Sequence, residues 1–196
     1  MQNWVKAINY FKYSIKSNDQ TAMSHYYIGR SYGHLGKNKL AMNHFEIGMK
    51  LFPKSSVIRQ EYAYFIHYSL NDPKRALKHY KICQRINLKE LKKHGDYSKH
   101  TAAIIGRGKY HTDYGKCCDD LMMFKEAEIQ YKLALKTCIG MGRAHYLYGV
   151  LLYKQNRLNE AERQFKLCMK CKRRPWHVGP YIEYAKLLIN LTKYNK

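Results

Sequence analysis

Three groups of side chains in this chain are of types that could do chemistry. The first is thiol. Cys168 and Cys171 form a C-x-x-C pair, and Cys117 and Cys118 are adjacent. Thiolates at that spacing hold zinc only when a second ligand pair stands nearby at a matching interval. Cys117, Cys118 and His177 have no such spacing to the pair. The expectation is therefore six reduced cysteines serving as small apolar residues, with no metal site. The second group is carboxylate. Asp113 and Asp120 lie seven residues apart, two turns along one helix face, with Asp119 beside them. Paired acids can do acid–base work, but among so many lysines salt bridging is the expected role. The third group is histidine, ten in all, none in a motif with a Ser, Cys or Thr nucleophile. Gly106-Arg107-Gly108 lacks the Lys-Ser/Thr and the preceding strand that a phosphate loop needs. No constellation emerges, and the expectation is a protein that is not an enzyme and takes no cofactor.

What the elements position is more informative. Ala7, Phe11 and Asp19 return 34 residues later as Ala41, Phe45 and Pro53. Gly115 to Gly149 and Ala127 to Ala161 repeat the same interval. A period of this length marks a solenoid of helix pairs, each unable to bury its apolar face alone. Helical spacing supports this, since Ala127, Tyr131, Ala134 and Leu135 mark one face, as do Ala161, Phe165 and Cys168. No segment alternates apolar and polar residues long enough for a sheet. The pattern predicts helices near 4–17, 22–35, 38–52, 56–70, 73–87, 108–121, 124–138, 142–155, 158–172 and 178–191.

Residues 22–55 carry Ile28-Gly29, Tyr32, Ala41, Phe45, Gly48 and Pro53. This resembles the tetratricopeptide repeat, with a departure at His25 and Ile for Leu at Ile28. A second unit offers Tyr62-Ala63, Ile66, Ala76, Tyr80 and Cys83, with one residue inserted at Asn71-Asp72-Pro73, where a turn tolerates it. A third offers Tyr114-Gly115, Cys118, Ala127, Tyr131 and Ala134. A fourth offers Tyr148-Gly149, Leu152, Ala161, Phe165 and Cys168. The resemblance implies an all-α, right-handed superhelical solenoid of antiparallel helix pairs. Its expected organisation is one continuous array: a partial repeat at 1–20, repeats at 22–55 and 56–87, a basic insertion at 88–107, repeats at 108–141 and 142–175, and a partial repeat at 178–196. Trp4 to Asp19 reads as a second helix without its first. Tyr184 to Lys196 reads as a first helix without its second. Ends of this kind are expected of a segment of a longer array.

Charge bounds the partners. Lys and Arg number 36 against 14 Asp and Glu, a formal charge of +22. That balance attracts polyanions such as RNA or an acidic protein. Tyr, at 19, is as over-used as Lys, so compositional bias is the competing explanation. Many lysines, including Lys50, Lys78, Lys132 and Lys166, fall on second helices, which the resemblance turns outward. Two basic clusters remain as candidate polyanion contacts. One is Lys92, Lys93, Lys99 and Arg107 in the register break. The other is Lys172, Arg173 and Arg174 before Pro175-Trp176.

In the family, first helices line the concave groove. Carried over by register, the candidate partner-binding residues are Tyr26, Tyr27, Arg30 and His34, then Tyr64, His67 and Tyr68, then Lys116, then Tyr146, Tyr153 and Lys154. The groove is aromatic and mixed in charge, not a basic track. The two-carboxylate clamp of chaperone co-factors is absent, since Tyr26, Arg30, Tyr64, Thr112 and Lys116 stand where it needs its Lys and Asn residues. The function this implies is a scaffold or adaptor that binds a peptide or helix of a protein partner, acidic if the charge is used. An RNA-binding solenoid and a structural segment of a larger assembly are the alternatives. The start of the chain has no signal-peptide pattern and no apolar run reaches the ~20 residues of a membrane span. The expected location is intracellular, cytoplasmic or nuclear.

Overall fold

The computed structural model describes the backbone of residues 2–17, 21–94, 101–137, 142–171 and 179–194, and the side chains of 2–17, 21–89, 106–137, 142–171 and 179–189. Ten helices are present among them: α1 (Gln2–Lys16), α2 (Thr21–His34), α3 (Asn38–Leu51), α4 (Ser56–Ser69), α5 (Pro73–His94), α6 (Thr101–Asp120), α7 (Phe124–Thr137), α8 (Gly142–Lys154), α9 (Leu158–Lys170) and α10 (Gly179–Tyr194). No strand occurs among the described residues. The chain divides into two compact units, Met1–Gly95 and Asp96–Lys196. The first holds α1–α5 and the second α6–α10.

Each unit is a stack of antiparallel pairs. In the first, α2 packs on α3, α4 packs on α5, and α1 packs on α2. In the second, α6 pairs with α7 and α8 with α9, while α10 packs on α9 and α8. The pairing follows from residue size. Ala41, Ala76, Ala127 and Ala161 are fully buried, and four residues on from each comes an equally buried ring, Phe45, Tyr80, Tyr131 or Phe165. The facing first helix must be thin where that ring enters. A Cβ on Gly149 would lie 2.7 Å from the Phe165 ring, and one on Gly115 would lie 2.8 Å from Tyr131. Glycine at these two positions trades helix propensity for close approach.

The turns between paired helices repeat as well. Gly36, Asn71, Met122 and Asn156 all have positive φ. In three of these turns the next N–H reaches back five residues: Lys37 to Tyr32, Met123 to Cys118 and Arg157 to Leu152, each at 2.9 Å. After Asn71 the bond runs from Asp72 to Ile66, six residues back, at 3.1 Å. That is the inserted residue expected at Asn71-Asp72-Pro73. The Asp72 carboxylate then accepts from the Arg75 N–H at 2.9 Å and caps the start of α5, with Pro73 in the first turn, where a missing N–H costs nothing.

The flanks of the register break differ from expectation. α5 continues to His94 and α6 begins at Thr101, where the period predicts helix only to 87 and from 108. The sequence LKELKKH consists mostly of good helix formers and meets no breaker before Gly95. Most of the segment read as a basic insertion thus extends the neighbouring helices.

Candidate functional site

In the first unit, the first helices α2 and α4 carry an aromatic face. Tyr27 is 38% exposed and stacks on Phe11 at 4.7 Å. His34 is exposed and stacks on Trp4 at 4.1 Å. On α4, Tyr64 and Tyr68 lie 4.5 Å apart and His67 lies 4.3 Å from Tyr68. Ring pairing of this kind orders the side chains before any ligand arrives. Two of the expected contact residues are not on the surface. Tyr26 is 6% exposed, edge-on to Tyr27 and Phe45, and His67 is 5% exposed. Burial pushes the Tyr26 phenol up; Glu61 adds to that and Arg30 opposes it. Arg30 remains exposed, near the Tyr26 hydroxyl and Glu61. The accessible set is therefore Tyr27, Arg30, His34 and Tyr68, with half-buried Tyr64.

In the second unit, the corresponding face is closed by ion pairs. Arg143 Nη1 donates to Asp113 Oδ1 at 2.5 Å, and the Asp113 side chain is fully buried. Lys154 Nζ donates to both oxygens of Asp119, at 3.0 and 2.9 Å. Lys116 pairs with Asp120 one helical turn away. Lys116, Arg143 and Lys154, on inward positions of α6 and α8, are thus engaged by aspartates, two of these from the neighbouring repeat. Tyr153 is half-buried. Tyr146 is half-buried too and lines a cleft of about 340 Å³ with Arg143, Leu147, Cys168, Gly179 and Pro180. The thiol of Cys168 is pushed up to about 11, chiefly by burial, with Cys171 adding to it. That makes it a poor nucleophile near neutral pH. Cys83, buried deeper, is pushed to about 12.

One recurrent polar pair is absent from the sequence-based expectations. His25 Nδ1 lies 3.0 Å from His44 Nδ1, His111 Nδ1 lies 2.8 Å from Gln130 Oε1, and His145 Nδ1 lies 2.8 Å from Gln164 Oε1. Each pair spans 19 residues and ties the fourth position of a first helix to its second helix. The sequence does carry a signal for it, because His25, His111 and His145 each precede the repeat glycine by four residues. In α4 and α5 the same positions hold Arg59 and His79. Arg59 Nε and His79 Nδ1 are buried with no hydrogen-bond partner. Burial lowers His44 to about 4, helped by His25 and Lys12. His79 is lowered to about 4 as well, by burial and then by Arg59 and Arg75, against Glu46. A second stitch joins neighbouring repeats. Tyr148 donates to Glu128 at 2.9 Å and Tyr184 to Glu162 at 3.2 Å. Bonds from Arg157 lead in holding Glu128 down at about 2, with Lys132 and Tyr148 contributing and burial opposing.

Of the candidate polyanion contacts, Arg107 is half-buried on α6. Lys92 and Lys93 fall on α5, but their side chains lie outside the described residues, as do Lys99, Lys172, Arg173 and Arg174 entirely. No group of three or more His, Cys, Asp or Glu able to hold a metal ion occurs among the described residues. No described helix is long and apolar enough to cross a membrane.

No family profile and no curated protein sequence matches the chain. Solved structures do. PilW, described as a widely conserved type IV pilus biogenesis factor, superposes with a TM-score of 0.76 at 18% identity, over 96% of this chain and 80% of that one. YrrB, described as a TPR protein with an unusual peptide-binding site, gives 0.65 at 16% identity, over 93% and 84%. TTC0263, a thermophilic TPR protein in Thermus thermophilus, gives 0.64 at 17%, over 95% and 91%. At such identities the likeness is one of fold. Together with the recurrent Gly/Ala–aromatic pairing, it identifies the architecture as the tetratricopeptide-repeat fold, an all-α solenoid of helix pairs.

Proposed function

We propose that this chain is a non-enzymatic protein-interaction scaffold that takes an extended peptide or a helix of a partner protein on the first-helix face of its first unit. The observation that carries this reading is the pre-stacked aromatic face of α2 and α4. Tyr27, 38% exposed, stacks on Phe11, and Tyr68, 39% exposed, lies against Tyr64 and His67. Rigid tyrosines give contact area at low entropic cost. Arg30 and His34 stand among them as polar contacts that can fix the register of a bound peptide. With a net charge of +22, an acidic segment is the favoured partner. YrrB, a fold relative, is described as having an unusual peptide-binding site, which supports the reading by analogy alone.

The test is selection of binders from a displayed peptide library on the full chain, followed by titration of the best peptide. Tyr64→Ala is expected to weaken capture about tenfold, ~1.4 kcal/mol, with thermal stability unchanged. Unchanged capture would remove α4 from the site.

A second reading, an RNA-binding solenoid, rests on the charge and on groove tyrosines able to stack on bases. Against it stands the second unit, whose inward Lys116, Arg143 and Lys154 are held by carboxylates. Labelled single-stranded RNA titrated across a salt series separates the two. Saturable binding that persists near physiological salt, with a slope of about −0.7 per phosphate contact, would favour RNA. Binding that vanishes there would reduce the charge to general polycation behaviour.

A further inference from the structure

The turn between α3 and α4 departs from the other turns of the first unit. At Gly36-Lys37-Asn38 and at Asn71-Asp72-Pro73 the chain reverses on polar and turn-forming residues. At Leu51-Phe52-Pro53-Lys54 it presents two large apolar side chains to solvent, Leu51 at 48% exposure and Phe52 at 63%. The Phe52 backbone holds the turn: its N–H donates to Gly48 O and its carbonyl accepts from the Ser55 N–H, both at 3.0 Å. Val57, in the first turn of α4, is 53% exposed. α5 reaches the same edge. It packs on α4, and the Cys83 thiol donates to Ser56 O at 3.6 Å, so Cys83 stands level with the start of α4. The helix then continues to His94, about 16 Å past that level. On this projection Leu88 is 52% exposed, between exposed Arg85 and Lys89. Lys50 and Lys54, also exposed, flank Leu51 and Phe52 in the same way. Acids are scarce around these cations. Residues 47–60 hold no Asp or Glu, and residues 73–95 hold Glu90 alone. Glu46, one turn before Lys50, is engaged elsewhere: it accepts from the Tyr62 hydroxyl at 2.8 Å and pairs with Arg75 at 3.9 Å.

Large apolar side chains gathered on one exposed edge and flanked by cations mark a surface for an anionic partner with an apolar interior. Shape selects among such partners. A peptide is gripped where a groove can enclose it, whereas this edge is a turn and a helix end that project. A nucleic acid would engage the lysines and leave Leu51, Phe52 and Leu88 in water. A bilayer accepts both parts: apolar tips enter the boundary between headgroups and acyl chains, and cations meet anionic headgroups. We propose that this edge of the first unit docks on the surface of an anionic lipid bilayer. Leu51 and Phe52 enter the interface, with Lys50, Lys54, Arg85 and Lys89 on the headgroups. The contact is peripheral, and it uses none of Tyr27, Arg30, His34, Tyr64 and Tyr68.

Co-sedimentation of the 196-residue chain with vesicles at physiological salt reads the docking. The chain is expected to bind vesicles of phosphatidylcholine with phosphatidylserine and to leave vesicles of phosphatidylcholine alone. Each cation near the bilayer surface is worth about fivefold, so Lys50→Gln with Lys54→Gln should weaken binding about 30-fold. Lys37→Gln with Lys39→Gln removes the same charge from exposed positions at the opposite edge of the unit. That edge is a helix length of about 20 Å away, more than two Debye lengths, so binding should change by under about twofold. All four lysines and Phe52 are exposed, so these chains should fold as the wild type does. Phe52→Trp reads the depth. Its emission should shift to the blue on phosphatidylserine vesicles, beyond any change in the wild type, whose Trp4 stacks on His34 at the opposite edge. No binding to phosphatidylserine vesicles would overturn the proposal, as would equal losses from the two lysine pairs or an unshifted Phe52→Trp emission in the bound chain. Loss of single-stranded RNA binding in the Lys50→Gln, Lys54→Gln chain, with vesicle binding intact, would overturn it in favour of nucleic acid.

Discussion

The two units solve one packing problem with the same backbone and opposite side-chain chemistry. In the first unit, the inward face of α2 and α4 is built of rings, and its exposed cation, Arg30, stands among tyrosines. In the second, the inward face of α6 and α8 is built of carboxylates clamped by cations from the next repeat. The polar pair inside each repeat diverges in parallel. The second unit answers histidine with glutamine, a neutral partner that bonds in either orientation. The first unit sets His44 against His25, and His79 against Arg59. A face whose charges are already satisfied is a stabilising face, whereas one of ordered, open rings is suited to contact. Under the proposed function, cohesion falls to the second unit and recognition to the first.

The largest effects should come from the cores, which the two units share. Phe45→Ala and Phe165→Ala are each expected to cost about 3–5 kcal/mol, read by denaturant unfolding. A near wild-type melt for either would mean that the repeat register is wrong. The inward arginines should then part company. Arg143→Ala removes the cation paired with the buried carboxylate of Asp113 and should cost about 3 kcal/mol. Arg30→Ala, on an exposed side chain, should change stability by under about 1 kcal/mol. Equal costs would break the comparison.

Acid should separate the units next. His44 and His79 sit at about 4 in the folded chain against an ordinary 6.5. The unfolded chain therefore binds protons that the folded first unit does not. Its stability should fall as pH drops from 6.5 to about 4. Glu128 is held at about 2 against 4.5, so its contribution is present above 4.5 and is lost only as pH falls towards 2. Native-state hydrogen exchange at about pH 5 should show protection lost first in α3 and α5 and later in α7 and α8. Simultaneous loss would contradict this ordering. The smallest effect lies in a turn. Met122, at φ 58° and 79% exposed, occupies the left-handed position that Gly36 fills elsewhere. Met122→Gly should stabilise by up to about 1 kcal/mol, read by the same denaturant unfolding.

Most of the fold is legible in the sequence because its signal is repeated. A small residue and a ring recur at a fixed interval, and even the inserted residue at Asn71 shows as a shift in that interval. The ends of α5 and α6 are less legible, because the period says where a repeat is complete and not where a helix must stop. The site is less legible still, because it depends on pairs of side chains and not on single positions. Register alone makes Lys116 and Lys154 contacts for a partner, yet their aspartates stand in the same register, one turn away or one repeat back. Asp113 and Arg143, 30 residues apart, pair by the same logic. His67 and Tyr26 fall on inward positions by register but are buried by their aromatic neighbours, which periodicity does not reveal.

The division of labour between the units is tested most directly by titrating one library-selected peptide against two variants. Tyr68→Ala in the first unit should weaken binding about tenfold, ~1.4 kcal/mol. Tyr153→Ala in the second should leave the affinity within about twofold, below ~0.5 kcal/mol. The reverse order, or equal losses, would contradict the assignment of recognition to the first unit.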